Sequence, residues 1–372
     1  MVECAGATTP ARRGQGTATG EVNVRMSREA WRRLFAVAAL SLFASALMAC
    51  SAVGVDAPMS TVQPASDHAD RIQSVYKIVF YLAAIVFVVI MVVSLWFTLG
   101  FKENGRRQAR QFHGNARLEV LWTVIPVVIV IIMAVPTFQA IFAIAAEPPA
   151  DALKVEVIGH QWWFEFRYLD DKGNATITTA NEMHVPVDRA VYVTLKSDDV
   201  IHSFWVPRLF GKTDLIPGHE NHLWFTPNHA SDEPYLGQCM ELCGLSHANM
   251  RFRVFVDTPS AYDAWAKKEA AARATPTGAA AAGEATFLKQ PCIGCHTVQG
   301  TTAAGKIGPN LTHVGGRSTL AAGIMPRTDE NFAKWIRNSA DLKPGSKMPP
   351  HAAATLSDPD LQAIIAYLQS LK

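Results

Sequence analysis

Two long stretches without a charged side chain constrain this chain more than any other feature. The first runs from Ile78 to Phe101 and the second from Val120 to Ala146. At a rise of ~1.5 Å per residue, a helix of either length crosses the ~30 Å hydrocarbon core of a bilayer. Pro126 and Pro136 are tolerated there because neighbouring helices in lipid satisfy the freed backbone groups. The pattern predicts a two-helix transmembrane hairpin over residues 74–147, with buried helices of a soluble protein as the alternative.

The charges between the two stretches predict the orientation of the hairpin. Basic loops stay preferentially on the cytoplasmic side of a membrane. We therefore expect everything from Glu147 onward to lie on the periplasmic or outer face of a bacterial cytoplasmic (inner) membrane. The formal net charge of the 372 residues is only +2, which gives no support for nucleic-acid binding. The charged residues between the stretches are Lys102, Arg106, Arg107, Arg110 and Arg117, against Glu103 and Glu119.

The first 49 residues have the layout of a processing segment. Basic residues after Met26 precede the apolar run of residues 34–49, and Cys50 follows, as in a secretory signal. The end of this run resembles a bacterial lipoprotein box. We therefore predict removal of residues 1–49, lipidation of Cys50 and a periplasmic segment over residues 50–73, with Met26 as an alternative start. An uncleaved anchor helix or a simple signal peptide is the alternative.

Residues 150–262 consist of short β-rich runs separated by turn-forming residues. Such runs at close spacing predict an antiparallel β-sandwich or barrel. Residues 263–283 then begin as a helix and continue into a segment rich in Ala, Pro and Gly, which is typical of a linker. A linker of this length allows residues 284–372 to dock at several places. The β-rich runs are LKVEVIG, QWWFEFRYL, ATITT, AVYVTLKS, HLWFT and RFRVFVD.

One loop of the β-rich region collects metal-binding side chains. QCMELCGLSHANM, residues 238–250, holds two cysteines, a histidine and a methionine, and another histidine lies upstream in DDVIHSFWVP. Imidazole, thiolate and thioether form a soft donor set that suits copper better than Mg²⁺ or Ca²⁺. With one backbone oxygen, the set is large enough for two copper ions bridged by the two sulfurs. The candidate donors are His202, Cys239, the Glu241 backbone oxygen, Cys243, His247 and Met250.

Two simpler interpretations of this loop stay open. Cys239 and Cys243 can form a disulfide in an oxidising compartment, and two cysteines with two histidines can hold a structural zinc ion. A disulfide leaves both histidines and Met250 unexplained, and zinc leaves Met250 unused.

The chain resembles subunit II of the haem–copper cytochrome c oxidases from about Ser74 to Ala264. The motifs are HGNARLEVLWTVIP at the second apolar stretch, GHQWWFEF, DDVIHSFWVPRL and QCMELCGLSHANM. The resemblance implies a cupredoxin domain in which the six donors hold a dinuclear, mixed-valence copper centre. It also implies a magnesium ion, shared with subunit I, at the Glu241 carboxylate.

The same resemblance implies roles for three further residues. Trp162 resembles the residue through which electrons arrive from cytochrome c, Asp199 lies at the contact with subunit I, and Glu119 lies at the mouth of a proton channel. Phe164 departs from the family, because many members carry tryptophan there, so the electron path beyond Trp162 is open. Read alone, Trp162, Asp199 and Glu119 suit interface packing or a solvated charge.

Residues 284–372 carry a second cofactor motif. In CIGCH, Cys292 and Cys295 can bond to the vinyl groups of a haem, and His296 then follows as axial ligand. Met348 is the predicted second axial ligand, because a final amphipathic helix follows it, and Met325 is the rival. A His/Met pair suits electron transfer. The segment resembles a complete all-α class I cytochrome c domain; zinc binding or a disulfide is the alternative for the motif alone.

Together these features predict a multidomain membrane protein of the caa-type arrangement, in which subunit II is fused to a cytochrome c domain. Its donor is expected to be cytochrome c or the upstream quinol–cytochrome c reductase, and its partners oxidase subunits I and III. Electrons pass through haem c and copper to subunit I, where oxygen is reduced. Two other functions stay open: a periplasmic copper and haem carrier outside any oxidase, and a quinol-oxidase-type subunit II without copper.

Overall fold

The computed structural model of the protein describes residue 41 and residues 59–101 and 113–372. The predicted signal segment, apart from Ser41, lies outside these residues. So do the lipidation site at Cys50 and the basic residues between Lys102 and Arg110.

The two apolar stretches form a pair of long helices that contact each other, α1 (Asp67–Gly100) and α2 (Ala116–Ile144). Both are long and apolar enough to cross a membrane, and their most apolar windows are not buried inside the protein. Phe87 and Phe142, for example, are 65% and 73% exposed. The apolar side chains along both helices are therefore open to lipid or to other helices.

Helix α1 begins well before the apolar stretch that starts at Ile78, because its first turns rest on the β-rich domain. The Ser66 side chain caps the helix by accepting a hydrogen bond from Ala69 N over 3.1 Å. Asp67 Oδ1 accepts a hydrogen bond from Thr226 N over 2.8 Å. Hydropathy could not indicate these turns, since they are polar.

The β-rich region, called the copper domain below, is a sandwich of two five-stranded sheets. The strand orders are β3-β2-β1-β5-β8 and β4-β10-β9-β6-β7. The strands are β1 (Leu153–His160), β2 (Trp163–Leu169), β3 (Ala175–Ala180), β4 (Glu182–Pro186), β5 (Val191–Ser197), β6 (His202–Trp205), β7 (Thr213–Leu215), β8 (Asn221–Phe225), β9 (Tyr235–Cys239) and β10 (Arg251–Asp257).

Aromatic rings fill the space between the two sheets. Phe164 and Phe166 point inward from β2, and Phe204 and Phe252 meet them from β6 and β10. Phe204 and Phe252 stack with their ring centroids 4.4 Å apart. All four rings are at most 1% exposed, and each one buries enough apolar surface to fix how the sheets face each other.

Residues 279–372 form a helical unit, called the haem domain below. Helix α3 (Pro259–Glu269) still packs on the copper domain, where Trp265 stacks on His184 at 4.4 Å. The haem domain begins at α4, inside the predicted linker. Its elements are α4 (Ala279–Phe287), α5 (Asp329–Arg337), α6 (Ser339–Leu342), α7 (Asp358–Ser370) and the short strands β11 (Thr319–Leu320) and β12 (Met325–Pro326).

A glycine sets the crossing of α4 and α7, the helices that enclose this domain. A Cβ on Gly283 would lie 1.9 Å from the backbone oxygen of Ala363. The two helices therefore approach at backbone contact, and Phe287 packs on Tyr367 with ring centroids 5.6 Å apart.

Ser66→Ala should lower the melting temperature of the copper domain, because Ser66 both caps α1 and donates a hydrogen bond to the Leu209 carbonyl. Loss of an N-cap costs about 1 kcal/mol, and an unpaired buried carbonyl adds to that. Thermal unfolding of the detergent-solubilised protein, followed by tryptophan fluorescence, measures the change. Ser74→Ala is the matched control, because the exposed Ser74 hydroxyl bonds only its own helix. Equal melting temperatures for the two variants would contradict the anchoring of α1.

Candidate metal and haem sites

Neighbouring strands bring the predicted copper donors together. His202 opens β6 and Cys239 closes β9, and these strands pair through Phe204 and Cys239. The loop between β9 and β10 carries the other donors, and Met250 ends it. The sheet order β10-β9-β6 therefore explains how residues far apart in sequence meet at one rim of the sandwich.

The donor atoms form a compact buried cluster. His202, Cys239 and Met250 are fully buried and Cys243 is 3% exposed. The ligand atoms of His202, Cys239 and Cys243 all lie within 4.8 Å of one another. Cys239 Sγ lies 3.9 Å from His202 Nδ1, 3.3 Å from the Glu241 backbone oxygen and 3.7 Å from Cys243 Sγ, and Cys243 Sγ lies 3.6 Å from His247 Nδ1 and 3.9 Å from Met250 Sδ.

This geometry fits soft metal ions. Metal–sulfur bonds of ~2.3 Å in a tetrahedral site place neighbouring donors roughly 3.5–4 Å apart, which is the spacing seen here. Cys239 and Cys243 are free thiols, so the structure gives no support to a disulfide between them. Met250 lies inside the cluster, and a zinc site would leave its thioether unused.

Electrostatics prepare the donors for a cation. Burial alone would raise the pKa of Asp199, but hydrogen bonds from His202, Gln161 N and Val200 N lower it to about 2. Asp199 Oδ1 lies 2.8 Å from His202 Nε2, so the other ring nitrogen, Nδ1, faces the sulfurs. The hydrogen bond from the Cys243 thiol lowers the pKa of Cys239 to about 4, and the same contact raises the pKa of Cys243. The contact between the two thiols therefore favours the thiolate form at Cys239.

Trp162 is bonded to the copper loop. Its indole N–H donates to the Cys243 carbonyl over 2.9 Å, and the Gln161 side-chain amide donates to the same oxygen over 2.8 Å. Trp162 is only 7% exposed, because residues of the haem domain cover it. Trp162 and Asp199 therefore both lie beside the copper donors, and their roles in electron arrival and in the contact with subunit I stay predictions.

Two other predicted residues lie elsewhere. The Glu241 carboxylate pairs with Lys212 at 3.3 Å, and 44% of its side chain is exposed. Glu119 lies in the first turn of α2, a helix of 29 residues whose far end leads into the copper domain. Its carboxylate accepts a hydrogen bond from Asn115 N over 3.2 Å, and it is not part of the metal cluster.

The haem motif lines a cavity of about 490 Å³. Cys292, Cys295 and His296 lie on its wall, and Met348 lies on it as well. Met325 instead lies on β12, where it pairs with Leu320, outside the described lining of the cavity. An apolar cavity with two thiols, an imidazole and a thioether fits a covalently attached haem.

The local structure orients His296 for a metal bond. His296 Nδ1 lies 2.8 Å from the Pro309 carbonyl, so this nitrogen carries the proton and Nε2 keeps its lone pair. Burial lowers the pKa of His296, which keeps the ring neutral. A Cβ on Gly308 would lie 2.6 Å from His296 Cε1, so only glycine leaves room for the ring there.

The cavity opens onto the copper domain. His160, Trp162 and Trp163 line it together with the haem-domain residues. Trp163 stacks on His160 with ring centroids 4.2 Å apart. The sequence did not single out Trp163, His160 or the cavity-lining Lys343; the WW pair in GHQWWFEF was the only local signal for Trp163.

A protein that carries single electrons needs metal-binding side chains that stay in place when the charge of the metal changes. Here paired strands hold such side chains, and a cavity of a size that suits a haem lies beside them. The fold and the sites therefore define a membrane-anchored electron-transfer protein. Family models match three segments: "Cytochrome C oxidase subunit II, transmembrane domain" over residues 57–140, "Cytochrome C oxidase subunit II, periplasmic domain" over residues 153–256 and "Cytochrome c" over residues 280–372.

Curated relatives agree with these matches. Cytochrome c oxidase subunit 2 of Alkalihalophilus pseudofirmus is 41% identical over 271 residues, which cover 71% of this chain and 75% of the relative. The Bacillus subtilis protein of the same name is 31% identical over 333 residues, 84% of this chain and 92% of the relative. The solved periplasmic domain of cytochrome oxidase subunit II of Bradyrhizobium japonicum is 29% identical, covers 32% of this chain and 95% of its own, and has a TM-score of 0.30.

The chain belongs to the cytochrome c oxidase subunit II family and carries a cytochrome c domain. This confirms the resemblance, the fold class and the function as an electron-transfer subunit of the oxidase complex. The chain is a two-pass membrane protein, its two cofactor domains imply copper and haem c, and membership implies subunit I as a partner.

Asp199→Asn should weaken copper binding about 10–100-fold, because the residue that orients a histidine ligand supports its basicity. Titration of the apo protein with Cu(I) against a competing chelator measures the affinity. Asp171→Asn is the matched control, since Asp171 is fully exposed and pairs only with Lys154 at 3.6 Å. An unchanged affinity in Asp199→Asn would show that the His202 contact does not orient the ring.

Proposed function

We propose that this chain relays single electrons from a covalently attached haem c to a dinuclear copper centre, and from there to the haems of subunit I, where oxygen is reduced. The observation that carries the proposal is the position of Trp162. Its ring lies on the cavity that contains the haem motif, and its indole bonds the copper loop. One side chain thus contacts both sites.

On the haem side, Cys292 and Cys295 would attach the haem covalently, and His296 and Met348 would bind its iron, which would supply one-electron redox chemistry. The Pro309 carbonyl holds the proton of His296 on Nδ1. Met348 is preferred to Met325 because only Met348 lies on the cavity wall. The backbone carbonyl of Met348 accepts a hydrogen bond from Ser339 over 2.9 Å, which fixes the segment in front of the haem.

On the copper side, His202, Cys239, the Glu241 backbone oxygen, Cys243, His247 and Met250 would hold a dinuclear copper centre. When bound, such a pair supplies a mixed-valence centre that takes up and releases one electron. The protein keeps the donors in place: paired strands fix His202 and Cys239, and Asp199 fixes the His202 ring. The exclusion of water from these buried side chains raises the strength of each charge interaction.

The electron donor meets the haem domain in this arrangement. Because Trp162 is covered by residues of the same chain, soluble cytochrome c or the upstream quinol–cytochrome c reductase delivers to the haem domain, and the haem domain delivers to Trp162. Phe164, where many relatives have tryptophan, is fully buried between the sheets. Trp162 and Trp163 are the tryptophans that the copper domain places on the cavity wall.

The remaining assignments concern the complex in the membrane. The exposed Glu241 carboxylate is available for a magnesium ion shared with subunit I, and Asp199 is placed near that contact. Glu119 lies at the mouth of a proton channel at the cytoplasmic end of α2. Subunit III completes the complex in the bacterial inner membrane, and the copper and haem domains, residues 150–262 and 284–372, face the periplasm.

Two observations disfavour the other functions. A quinol-oxidase-type subunit II binds no copper, so the intact buried cluster around Cys239 and Cys243 disfavours that function. A free periplasmic carrier has no use for a hairpin whose apolar side chains stay exposed along both helices.

Metal and haem content test the proposal. The purified oxidase that contains this chain should hold two copper ions and one haem c per chain, and its paramagnetic spectrum should show one unpaired electron shared by two copper nuclei. Cys243→Ser should abolish that signal and leave haem c in place, because Cys243 Sγ lies at the centre of the donor cluster. One copper ion per chain, or a signal from a single nucleus, would refute the dinuclear centre.

The second axial haem ligand has a separate test. Met348→Ala should abolish the weak sulfur-to-iron absorption band and lower the haem midpoint potential, since loss of a thioether ligand destabilises the reduced iron. Met325→Ala is the matched control and should keep the band, because Met325 lies on β12. Loss of the band in Met325→Ala, with the band kept in Met348→Ala, would reverse the assignment.

A further inference from the structure

The contact between the haem domain and the copper domain contains two buried charged side chains, one from each domain. Glu182, at the start of β4, is 5% exposed and points from the copper domain into the haem domain. Lys343, after α6, is 4% exposed and points the opposite way. Charged residues are almost never this deeply buried unless they are paired.

The Glu182 carboxylate is bonded entirely by the haem domain. The backbone N–H and hydroxyl of Ser318 and the backbone N–H and hydroxyl of Thr319 all donate to it, over 2.7–2.9 Å. A carboxylate has about four acceptor positions, so two adjacent residues of the other domain satisfy it. A displacement of the haem domain by one residue would take these four donors away from the buried carboxylate, which is costly.

Lys343 forms the reciprocal contact. Its Nζ donates to the Trp162 carbonyl over 2.5 Å and to the Ala321 carbonyl over 3.2 Å. Next to it, the Ser246 hydroxyl of the copper loop donates to the Pro344 carbonyl over 2.6 Å. Residues 343–345 therefore lie directly against Trp162 and the copper loop.

Gly345 shows how closely the two domains approach. Its φ is +82°, and a Cβ there would lie 2.5 Å from Trp162 Cη2. Only glycine both adopts this backbone conformation without strain and leaves room for the ring. The haem domain thus contacts the Trp162 ring through backbone atoms.

These contacts lie on two sides of the haem cavity. Ser318 and Thr319, which bind Glu182, lead into Leu320 and Ala321 on the cavity wall. Lys343 leads into Met348 on another part of the wall. The contacts of Ser318 and Thr319 and those of Lys343 therefore hold the haem domain with its cavity against Trp162 and Trp163.

We infer that Glu182 is a positioning residue that holds the haem domain in one docked arrangement, with its cavity against Trp162, so that electrons pass to the copper centre without a domain search. The inference rests on the proposed relay and adds to it the interaction surface that makes the relay direct. Glu182 is neither a copper donor nor itself part of the cavity lining, and it reaches that lining through its hydrogen bonds with Thr319; it therefore acts through the domain contact.

The test uses the purified oxidase complex, with one electron injected into haem c by a photoreductant. Wild type should show a single fast phase of electron transfer from haem to copper. Glu182→Gln places an amide N–H₂ group, itself a donor, among the four donors of Ser318 and Thr319. The equilibrium constant for docking of the haem domain should therefore fall about tenfold or more. The variant should therefore show a smaller fast phase and a new slow phase that depends on solvent viscosity.

Three readouts separate positioning from a general structural role. Haem content, copper content and both midpoint potentials should equal those of wild type in Glu182→Gln. Glu220→Gln, which removes an exposed carboxylate paired with Lys196 inside the copper domain at 2.6 Å, is the charge-matched control and should keep the single fast phase. Small soluble reductants should reduce the copper centre faster in Glu182→Gln, because Trp162 becomes exposed.

The haem-domain side provides an independent variant. Ser318→Ala combined with Thr319→Val removes both hydroxyl donors and should also produce the slow phase. Added to Glu182→Gln, it should have little further effect, since the groups act as one contact. A single fast phase in Glu182→Gln with both centres loaded, or fully additive effects of the two changes, would overturn the inference. Missing copper or haem in wild type would instead overturn the proposed relay.

Discussion

One backbone carbonyl, that of Cys243, ties the copper loop to Trp162, whose ring lines the haem cavity. The Trp162 indole and the Gln161 side chain donate to this carbonyl over 2.9 and 2.8 Å, which fastens the turn between β1 and β2 to the loop that carries the sulfurs. Gln161 N also donates to Asp199 over 2.7 Å, and Asp199 orients His202. Donors from separate strands therefore share one hydrogen-bonded frame. Because a buried group left unpaired costs about 1–3 kcal/mol, turn and loop hold each other in place whatever the charge of the bound metal.

The sequence could predict features that depend on local pattern. The charge-free stretches predicted the hairpin, the β-rich runs predicted the sandwich, and the donor spacing and CIGCH motif predicted both sites. It could not predict the domain contact, because Glu182 and Lys343 find their partners 136 and 181 residues away along the chain. A lone charged residue gives no local signal of such a partner. Local pattern favoured Met348 over Met325 through the helix that follows it, and the place of Met348 on the cavity wall supports the same choice.

Composition could not show which parts of the predicted linker are packed. Residues 263–283 are rich in Ala and Gly, which indicates flexibility. In the structure α3 packs on the copper domain up to Glu269, and α4 already belongs to the haem domain from Ala279. Arg273, in the intervening segment, pairs with Glu284 at 2.6 Å and donates to the Gln299 carbonyl over 3.1 Å. Tertiary contacts thus shorten the free part of a segment whose sequence is typical of a long tether.

A tether and a docking surface make different contributions to electron transfer. A short tether raises the effective concentration of one domain near the other to the order of millimolar, but it does not select an orientation. Glu182 and Lys343 favour one orientation, because each side chain loses its water on docking. Their hydrogen bonds form only when Glu182 meets Ser318 and Lys343 meets Trp162. When the domains separate, water solvates Glu182 and Lys343 again. The contact therefore adds little net free energy to docking, although it favours one orientation of the haem domain. The arrangement therefore combines one precise delivery geometry with an interface that can open.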